Sequence, residues 1–369
     1  MRVLMTGGGT GGHVNPAIAI ANTIREKDKD SVIAFVGRKQ GIENKLVSKF
    51  GYEIYHVEIQ GLKRSLSLSN IKTAYLTVTS VFKAKKLIRK FNPDVVIGTG
   101  GYVCWPVMKA AASMGIPTVL HESNALPGVA VRMLEKYVDI VYTNFEATAK
   151  KLKHPEKAIR VGNPLINGFT SSDNDADEIK KGYKKLILSY GGSLGAARVN
   201  AEMMELMKDF SSKHDDVLHI HASGAVGKVS TEEKFKEYGL EKFKNLELLE
   251  YIYDMPIKMA AADLVIARAG AMTLSELATL RKACILIPSP NVTDNHQYKN
   301  AVELEKKGAA VVVEEKNLSN GVLSRIVEEL IYNEEKLESM KKNISEFVVE
   351  NTNELIYNGV KELVENKKK

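Results

Sequence analysis

Three polar side chains stand at places where chemistry could occur: His13 at the end of GGGTGGH, Glu276 in RAGAMTLSE and Gln297 in TDNHQYKNA. Glycines define what could bind beside the first. Gly7 to Gly12 follow the apolar run Val3–Met5, and a second glycine loop, GGSLG from Gly191 to Gly195, follows Leu186–Ser189. A glycine turn between a strand and a helix leaves backbone N–H groups at the positive end of the helix dipole, which suits a phosphate. Two such loops, one in each half, suggest two nucleotide-type domains facing one cleft. Gly7, Gly9 and Gly12 also satisfy GxGxxG, the dinucleotide fingerprint. An NAD site wants an acid at the end of the second strand for the ribose hydroxyls, whereas here that strand ends at Gly37–Arg38. Arg38 keeps an NADP-dependent oxidoreductase open as an alternative.

Asn15 as cap and Pro16 in the first turn put the start of the first helix after His13. His13 then sits in the loop, either facing the bound group or tying the loop to neighbouring backbone. The second loop lacks the Gly-Lys-Ser/Thr of a Walker A loop, which argues against an NTPase. Thr273 and Glu276 have the spacing of a capping box, so Glu276 either caps its own helix or receives both hydroxyls of a ribose. Arg268 reads as a surface arginine. His296 and Gln297 follow ILIPSP, at a strand end of the kind that lines the ligand crevice of a parallel sheet, unless they are merely solvated.

The elements that must hold these residues are legible as an alternation. β-type runs at Val32–Val36, Ile54–Ile59, Val95–Ile97, Thr118–His121, Ile140–Tyr142 and Ile159–Val161 are separated by helical patterns. This calls for a parallel sheet with right-handed crossovers. A polar, acidic stretch, SSDNDADE, interrupts the pattern at Ser171–Glu178 and reads as linker. The alternation restarts with Leu186–Ser189, Val217–His221, Leu246–Leu249, Leu264–Ala267, Ile285–Ile287 and Ala310–Val313. The expected domains are 1–165 and 179–342, joined by 166–178, with a helical segment 343–369 ending in a frayed basic tail. A length of 369 residues suits two α/β domains of roughly 150–200 residues each.

Composition narrows the class further. With 44% hydrophobic and 26% charged residues the chain is ordinary globular protein. A net charge of +7 favours an anionic partner: nucleic acid, acidic lipid or a phosphorylated substrate. The two cysteines, Cys104 and Cys284, lie at or beside strands, the usage of a reduced, cytosolic protein with buried thiols. No metal-type Cys/His cluster appears. Met1 leads almost directly into a strand, without a signal-peptide pattern, and no uncharged run of about 18 apolar residues follows, so a secreted or bilayer-spanning chain is not expected.

GGGTGGH, GTGGYV (Gly98 to Val103), HESN (His121 to Asn124), GNP (Gly162 to Pro164), GGSLGA, RAGAMTLSE and NHQYKNA occur in this order over nearly the whole chain. Together they resemble the MurG-type N-acetylglucosaminyltransferases of glycosyltransferase family 28. The resemblance implies an α/β chain of GT-B fold: two Rossmann-like parallel-sheet domains with an interdomain cleft, and a C-terminal helix returning to the first domain. It implies inverting transfer of N-acetylglucosamine from UDP-N-acetylglucosamine to the muramyl 4-hydroxyl of undecaprenyl-pyrophosphoryl-MurNAc-pentapeptide, without a cofactor or metal. Another lipid glycosyltransferase of the same fold, such as a diacylglycerol glycosyltransferase, is the nearest alternative; a module that binds the UDP-sugar without turnover is a further one. Carried over by motif, His13 is the general base. Ser193 and its loop take the diphosphate, Ile252 of EYIYDM meets uracil through its backbone, Glu276 the ribose and Gln297 the sugar. Thr10, Gly11, Gly12 and Asn124 approach the donor sugar. The chain departs from the family at Val131, where many members carry Asn, and at Leu165–Ile166, where an arginine commonly follows GNP. Arg281–Lys282–Ala283 replaces a common Gly-x-Pro. The D-x-D spacings Asp173/Asp175 and Asp175/Asp177 fall in the expected linker and do not read as a metal site.

A lipid acceptor requires contact with a membrane. Between Glu58 and Asp94 there is no acidic residue but eight basic ones: Lys63, Arg64, Lys72, Lys83, Lys85, Lys86, Arg89 and Lys90. Ile71, Tyr75, Val78 and Phe82 recur on one helical face, as core packing or as a docking stripe. With Lys83, Lys86 and Lys90 beside it, the stripe is expected to dock on anionic lipid at the cytoplasmic face of the cell membrane, as a peripheral contact. Nucleic acid is not an expected partner, since no recognition motif or interleaved aromatic set accompanies the charge.

Overall fold

The computed structural model describes the chain apart from residues 60–68, 167–168, 170–175, 193, 320 and 369; for 69–78 and 176–177 it describes the backbone alone. The chain forms two compact units. One comprises Met1–Asn167 together with Val349–Lys369, and the other Gly168–Val348.

In the first unit, β1 (Arg2–Thr6), β2 (Val32–Gly37), β3 (Glu53–His56), β4 (Val95–Gly98), β5 (Thr118–Glu122), β6 (Ile140–Thr143) and β7 (Ala158–Arg160) form a sheet in the order β3-β2-β1-β4-β5-β6-β7. The second unit holds β8 (Lys185–Tyr190), β9 (Val217–Ala222), β10 (Leu246–Leu249), β11 (Leu264–Ala267), β12 (Ala283–Leu286) and β13 (Val311–Val312) in the order β10-β9-β8-β11-β12-β13. All pairings are parallel. Central strands such as β4 are buried on every residue, because helices cover both faces of the sheet. This is the doubly wound arrangement of two Rossmann-like units expected from the alternation.

Strand order fixes where a site can form. In each sheet the order reverses beside the first strand, between β1 and β4 and between β8 and β11. Thr6 is in register with Gly98, and Tyr190 with Ala267. The loops after these paired strands therefore emerge side by side, at the switch point where parallel sheets bind ligands.

Two apolar layers enclose the first sheet. On one face Leu4, Val96 and Leu120 pack with Ala84, Ile88, Val107, Met108, Val131 and Leu134. On the other, Val3, Met5 and Ile97 meet Val14, Ile18 and Ile24 of the helix Gly11–Lys27 and Ile356, Val360 and Val364 of the helix Thr352–Lys368. Gly359 lets that last helix lie close, since a Cβ there would stand 2.1 Å from the Tyr142 hydroxyl. The expected frayed tail is instead helical to Lys368, and Lys367 and Lys368 pair with Asp139 and Asp94, each at 2.9 Å. The helix Glu334–Ser345 belongs to the second unit. Part of the expected linker is helical too, at Ala176–Lys180.

Candidate active site

The first helix begins earlier than its Asn15 and Pro16 suggest. It spans Gly11–Lys27 with Thr10 as N-cap, and Pro16 lies inside it. The Thr10 carbonyl accepts from both His13 N–H (3.1 Å) and Val14 N–H (3.2 Å), closing the first turn before the proline can start one. His13 thus sits in that first turn and not in the loop. Its Nδ1 lies 3.1 Å from the Gly8 carbonyl oxygen and 3.3 Å from Thr10 Oγ1. A carbonyl only accepts, so Nδ1 carries the hydrogen and Nε2 the lone pair. The ring does tie the loop to backbone, and the same bond sets the tautomer a base needs.

The loop after β4 completes this corner. Thr99 Oγ1 donates to the His13 carbonyl at 2.6 Å, and the Gly8 N–H to the Gly100 carbonyl at 3.3 Å. Gly100, at φ 105°, passes so close to the imidazole that a Cβ would stand 2.8 Å from its Cδ2. Asn124, after β5, donates from its backbone and from Nδ2 to Glu122 Oε1 at 2.9 and 3.0 Å. Buried Glu122 also accepts from Gly128 N–H at 2.7 Å, so one carboxylate shapes the whole HESN turn. Thr10 and Gly12 are exposed at the helix start, where the dipole is positive.

Sequence reading missed Glu43, which is 1% exposed beneath the first loop. Its carboxylate accepts from Gly9 N–H (3.2 Å) and Arg38 N–H (2.8 Å). Gly9 therefore already has an anion, one supplied by the chain. Arg38, on which an NADP site would depend, lays its guanidinium 4.7 Å from the centre of the Tyr102 ring. The one hint was the glycine at position 41, where a Cβ would collide with the Glu43 carboxylate at 2.0 Å.

In the second unit Ser193 lies outside the described residues. Around it the loop is tightly built. Gly192 and Gly195 take φ of 98° and 83°, and a Cβ on Gly195 would stand 2.0 Å from the Ser223 carbonyl oxygen. The helix Ala197–Asp209 follows at once.

Glu276 is not a cap. Its helix spans Ala271–Thr279 with Gly270 as N-cap, so Thr273 already lies in the first turn and Glu276 one turn further. Among the described residues no hydrogen-bond donor or cation pairs with the Glu276 carboxyl. Though partly open to solvent, it sits in a desolvated recess beside Tyr190, and burial pushes it up to about 7. Arg268 is no loose surface residue: it donates to the carbonyls of Ile287 (3.1 Å) and Pro288 (3.2 Å) and pairs with Glu315. Gln297 Oε1 accepts from Ser289 N–H at 2.9 Å, leaving its Nε2 group as a donor. A cavity of about 400 Å³ opens beside that loop, lined by Arg198, Pro288, Pro290, Asn295 and Tyr298 among others. Ile252 is buried between two exposed tyrosines, Tyr251 and Tyr253, whose rings meet edge to face at 5.0 Å.

All these residues lie at the carboxyl ends of strands, in two groups, one per unit. Two family models cover most of the chain: the glycosyltransferase family 28 N-terminal domain over residues 3–143 and the glycosyltransferase family 28 C-terminal domain over residues 186–356. The chain belongs to glycosyltransferase family 28. It is 40% identical to the UDP-N-acetylglucosamine–N-acetylmuramyl-(pentapeptide) pyrophosphoryl-undecaprenol N-acetylglucosamine transferase of Acetivibrio thermocellus, over 100% of this chain and 99% of the relative. The transferase of the same name from Ruminiclostridium cellulolyticum is 40% identical over 99% and 100%. Among solved structures, Acinetobacter baumannii MurG aligns with a TM-score of 0.78 at 26% identity, over 98% of this chain and 99% of that one.

The departures from the family pattern have local reasons. Val131 is buried in the apolar layer on one face of the first sheet and Ile166 packs against the layer on the other, so neither position points a polar group at a ligand. Arg281 takes φ 51° just past the helix Ala271–Thr279, the conformation a glycine usually supplies. Lys282 donates to the Ala262 carbonyl at 3.1 Å and to that of Ala260. Of the expected docking stripe, the side chains of Ile71, Tyr75 and Val78 lie outside the described residues, whereas Phe82 is 66% exposed. Lys86 and Lys90 are exposed beside it, and Lys83 pairs with Glu58 at 2.6 Å. Asp173 and Asp175 also lie outside the described residues, and of Asp177 only the backbone is described. Among the described residues no helix is long and apolar enough to cross a membrane.

Proposed function

We propose that this glycosyltransferase moves N-acetylglucosamine from UDP-N-acetylglucosamine to the muramyl 4-hydroxyl of undecaprenyl-pyrophosphoryl-MurNAc-pentapeptide, inverting the anomeric centre. The observation that carries the reading is 40% identity, over essentially the full length of both chains, to transferases named for this reaction. Inverting transfer is one displacement. It needs a base for the incoming hydroxyl and a seat for the departing diphosphate.

His13 suits the first role, because the Gly8 carbonyl holds the hydrogen on Nδ1 and leaves Nε2 to take the acceptor's proton. Ser193 and its loop serve the second, backed by the positive end of the helix Ala197–Asp209. Glu276, once ionised, accepts from both ribose hydroxyls; Ile252 meets uracil through its backbone. Gln297 donates from Nε2 to the sugar, and Thr10, Gly11, Gly12 and Asn124 complete the sugar's surroundings. The lipid acceptor is met at the cytoplasmic face of the membrane through Ile71, Tyr75, Val78 and Phe82, with Lys83, Lys86 and Lys90 on anionic headgroups. The exposure of Phe82 supports that docking.

Purified protein incubated with radiolabelled UDP-N-acetylglucosamine and a short-chain lipid-linked muramyl pentapeptide should yield a labelled β-linked disaccharide lipid. Transfer to diacylglycerol in its place, or binding without transfer to any lipid, would overturn the proposal.

A further inference from the structure

A line of buried side chains runs beneath the second glycine loop. Ser211, His219, Ser189, His221 and Asn200 are each at most 3% exposed, and the line ends at the carbonyl oxygen of Ser223, just past β9. None of them belongs to the donor contacts described above.

The end of the line at Ser223 is directed by groups that act in one sense only. The Ser223 carbonyl only accepts, so Asn200 presents Nδ2 to it at 2.8 Å and turns Oδ1 toward His221 Nε2, 3.3 Å away. That oxygen also only accepts, and a proton on His221 Nε2 satisfies it. Nδ1 of the neutral ring then accepts from the Ser189 hydroxyl at 2.9 Å. Having given its hydrogen to His221, Ser189 Oγ must accept from His219 Nε2, also at 2.9 Å. His219 Nδ1 in turn accepts from Ser211 Oγ at 2.9 Å. Burial keeps both rings neutral, holding His219 down at about 3 and His221 at about 4.

The near end of this line meets the loop. Gly195 rests on the Ser223 carbonyl so closely that a Cβ would stand 2.0 Å from its oxygen, and Gly224 leans on the Gly195 nitrogen in the same way, at 2.1 Å. We infer that His219 and His221, acting through Asn200 and the Ser223 carbonyl, are positioning residues for the donor's diphosphate: they fix the surface on which Gly195 rests. This rests on reading that loop as the diphosphate seat. Two backbone acceptors compete for these hydrogens: the Ser189 carbonyl lies 3.1 Å from His221 Nδ1, and the Ile220 carbonyl lies 3.5 Å from Ser189 Oγ. A hydrogen on Nδ1 would set the Nε2 lone pair against Asn200 Oδ1 and break the line, whereas a hydrogen on Nε2 sets the Nδ1 lone pair toward the Ser189 carbonyl and keeps the line continuous to Asn200.

Nitrogen-15 NMR of the full chain at neutral pH should show both histidines in the Nε2–H form; an Nδ1–H form of His221 overturns the inference. Calorimetry with UDP tests the consequence, and the wild-type titration tests the reading beneath it, since absence of UDP binding there would mean that the loop is no diphosphate seat. Given wild-type binding, His221→Leu should weaken UDP about tenfold, the loss of roughly one well-placed hydrogen bond, and raise the donor KM equally with kcat little changed. His221→Gln, whose amide N–H₂ can still reach Asn200, should recover affinity to within about twofold of wild type. Should His221→Leu fail to fold, Ser189→Ala removes the link between the rings and should weaken UDP about threefold to tenfold. Wild-type UDP affinity in a folded His221→Leu or Ser189→Ala protein would refute the positioning role.

Discussion

Glu276 enters donor binding about half protonated at neutral pH, because burial holds its carboxyl at about 7. Two ribose hydroxyls donate best to an ionised carboxylate, so UDP binding should expel a proton and tighten between about pH 6 and pH 8. Calorimetry in buffers of different ionisation enthalpy reads that proton directly. Glu276→Gln should bind about tenfold more weakly at pH 8 and show no pH dependence; an unchanged affinity would leave Glu276 without a ribose role. The same shift acts on stability. Raised from 4.5 to about 7, the group favours the protonated native state, a contribution present in full below about pH 4.5 and lost as pH rises through 7. Its size is on the order of 2–3 kcal/mol, which melting curves at pH 5 and 8 should show in wild type and not in Glu276→Gln. For His13 the measurement is turnover. His13→Ala should depress it about 10²–10⁴-fold with UDP affinity near normal, whereas a parallel loss of binding would mean collapse of the loop it braces.

The helix Ala271–Thr279 ends in a Schellman arrangement: Arg281 N–H donates to the Ala278 carbonyl and Lys282 N–H to that of Leu277, both at 2.9 Å. An arginine in the left-handed conformation costs about 1–2 kcal/mol, offset in part by the roughly 0.5–1 kcal/mol of chain entropy a glycine forfeits. Arg281→Gly should therefore gain roughly 0.5–1 kcal/mol in denaturant unfolding; a loss would mean that the arginine side chain contributes more than its backbone costs. Elements of this kind divide what sequence shows from what it hides. Strands were legible because a parallel sheet buries both faces, so that β4 or β11 reads as an uninterrupted apolar run. Helix starts were not, since they depend on which carbonyl captures which N–H, and Thr10 captures two before Pro16 is reached. Glu43 left little trace for a related reason: its partners are main-chain groups, which carry no residue type. Periodicity put Phe82 on a stripe expected to dock outward. Among the described side chains of the helix Ser69–Phe91, Ser80, Ala84, Ile88 and Phe91 are buried and Phe82 is exposed. Phe82→Ser should accordingly shift stability by no more than about 0.5 kcal/mol while reducing sedimentation with anionic vesicles at low salt; a large stability loss with vesicle binding intact would sink the docking surface.

At the scale of the molecule the first unit is discontinuous, built from Met1–Asn167 and from Val349–Lys369 on the far side of the second unit's sequence. Ile356, Val360 and Val364 are almost fully buried against its sheet layer. At roughly 1.5–3 kcal/mol for each such side chain, their removal approaches the whole stability of an ordinary domain, about 5–15 kcal/mol. A chain cut after residue 348 should keep slow hydrogen exchange in β8 to β13 and lose it in β1 to β7. Protected β1 to β7 amides in that fragment would show the helix to be dispensable. The same discontinuity sets a timetable during synthesis. The seven strands of the first unit leave the ribosome early, but the helix that seals one apolar face follows the whole second unit, roughly 10–40 s later at ordinary elongation rates. The unit made first is thus completed second, and throughout that interval Val14, Ile18 and Ile24 lack their cover. Newly made chains should depend on a chaperone during that window and not after release.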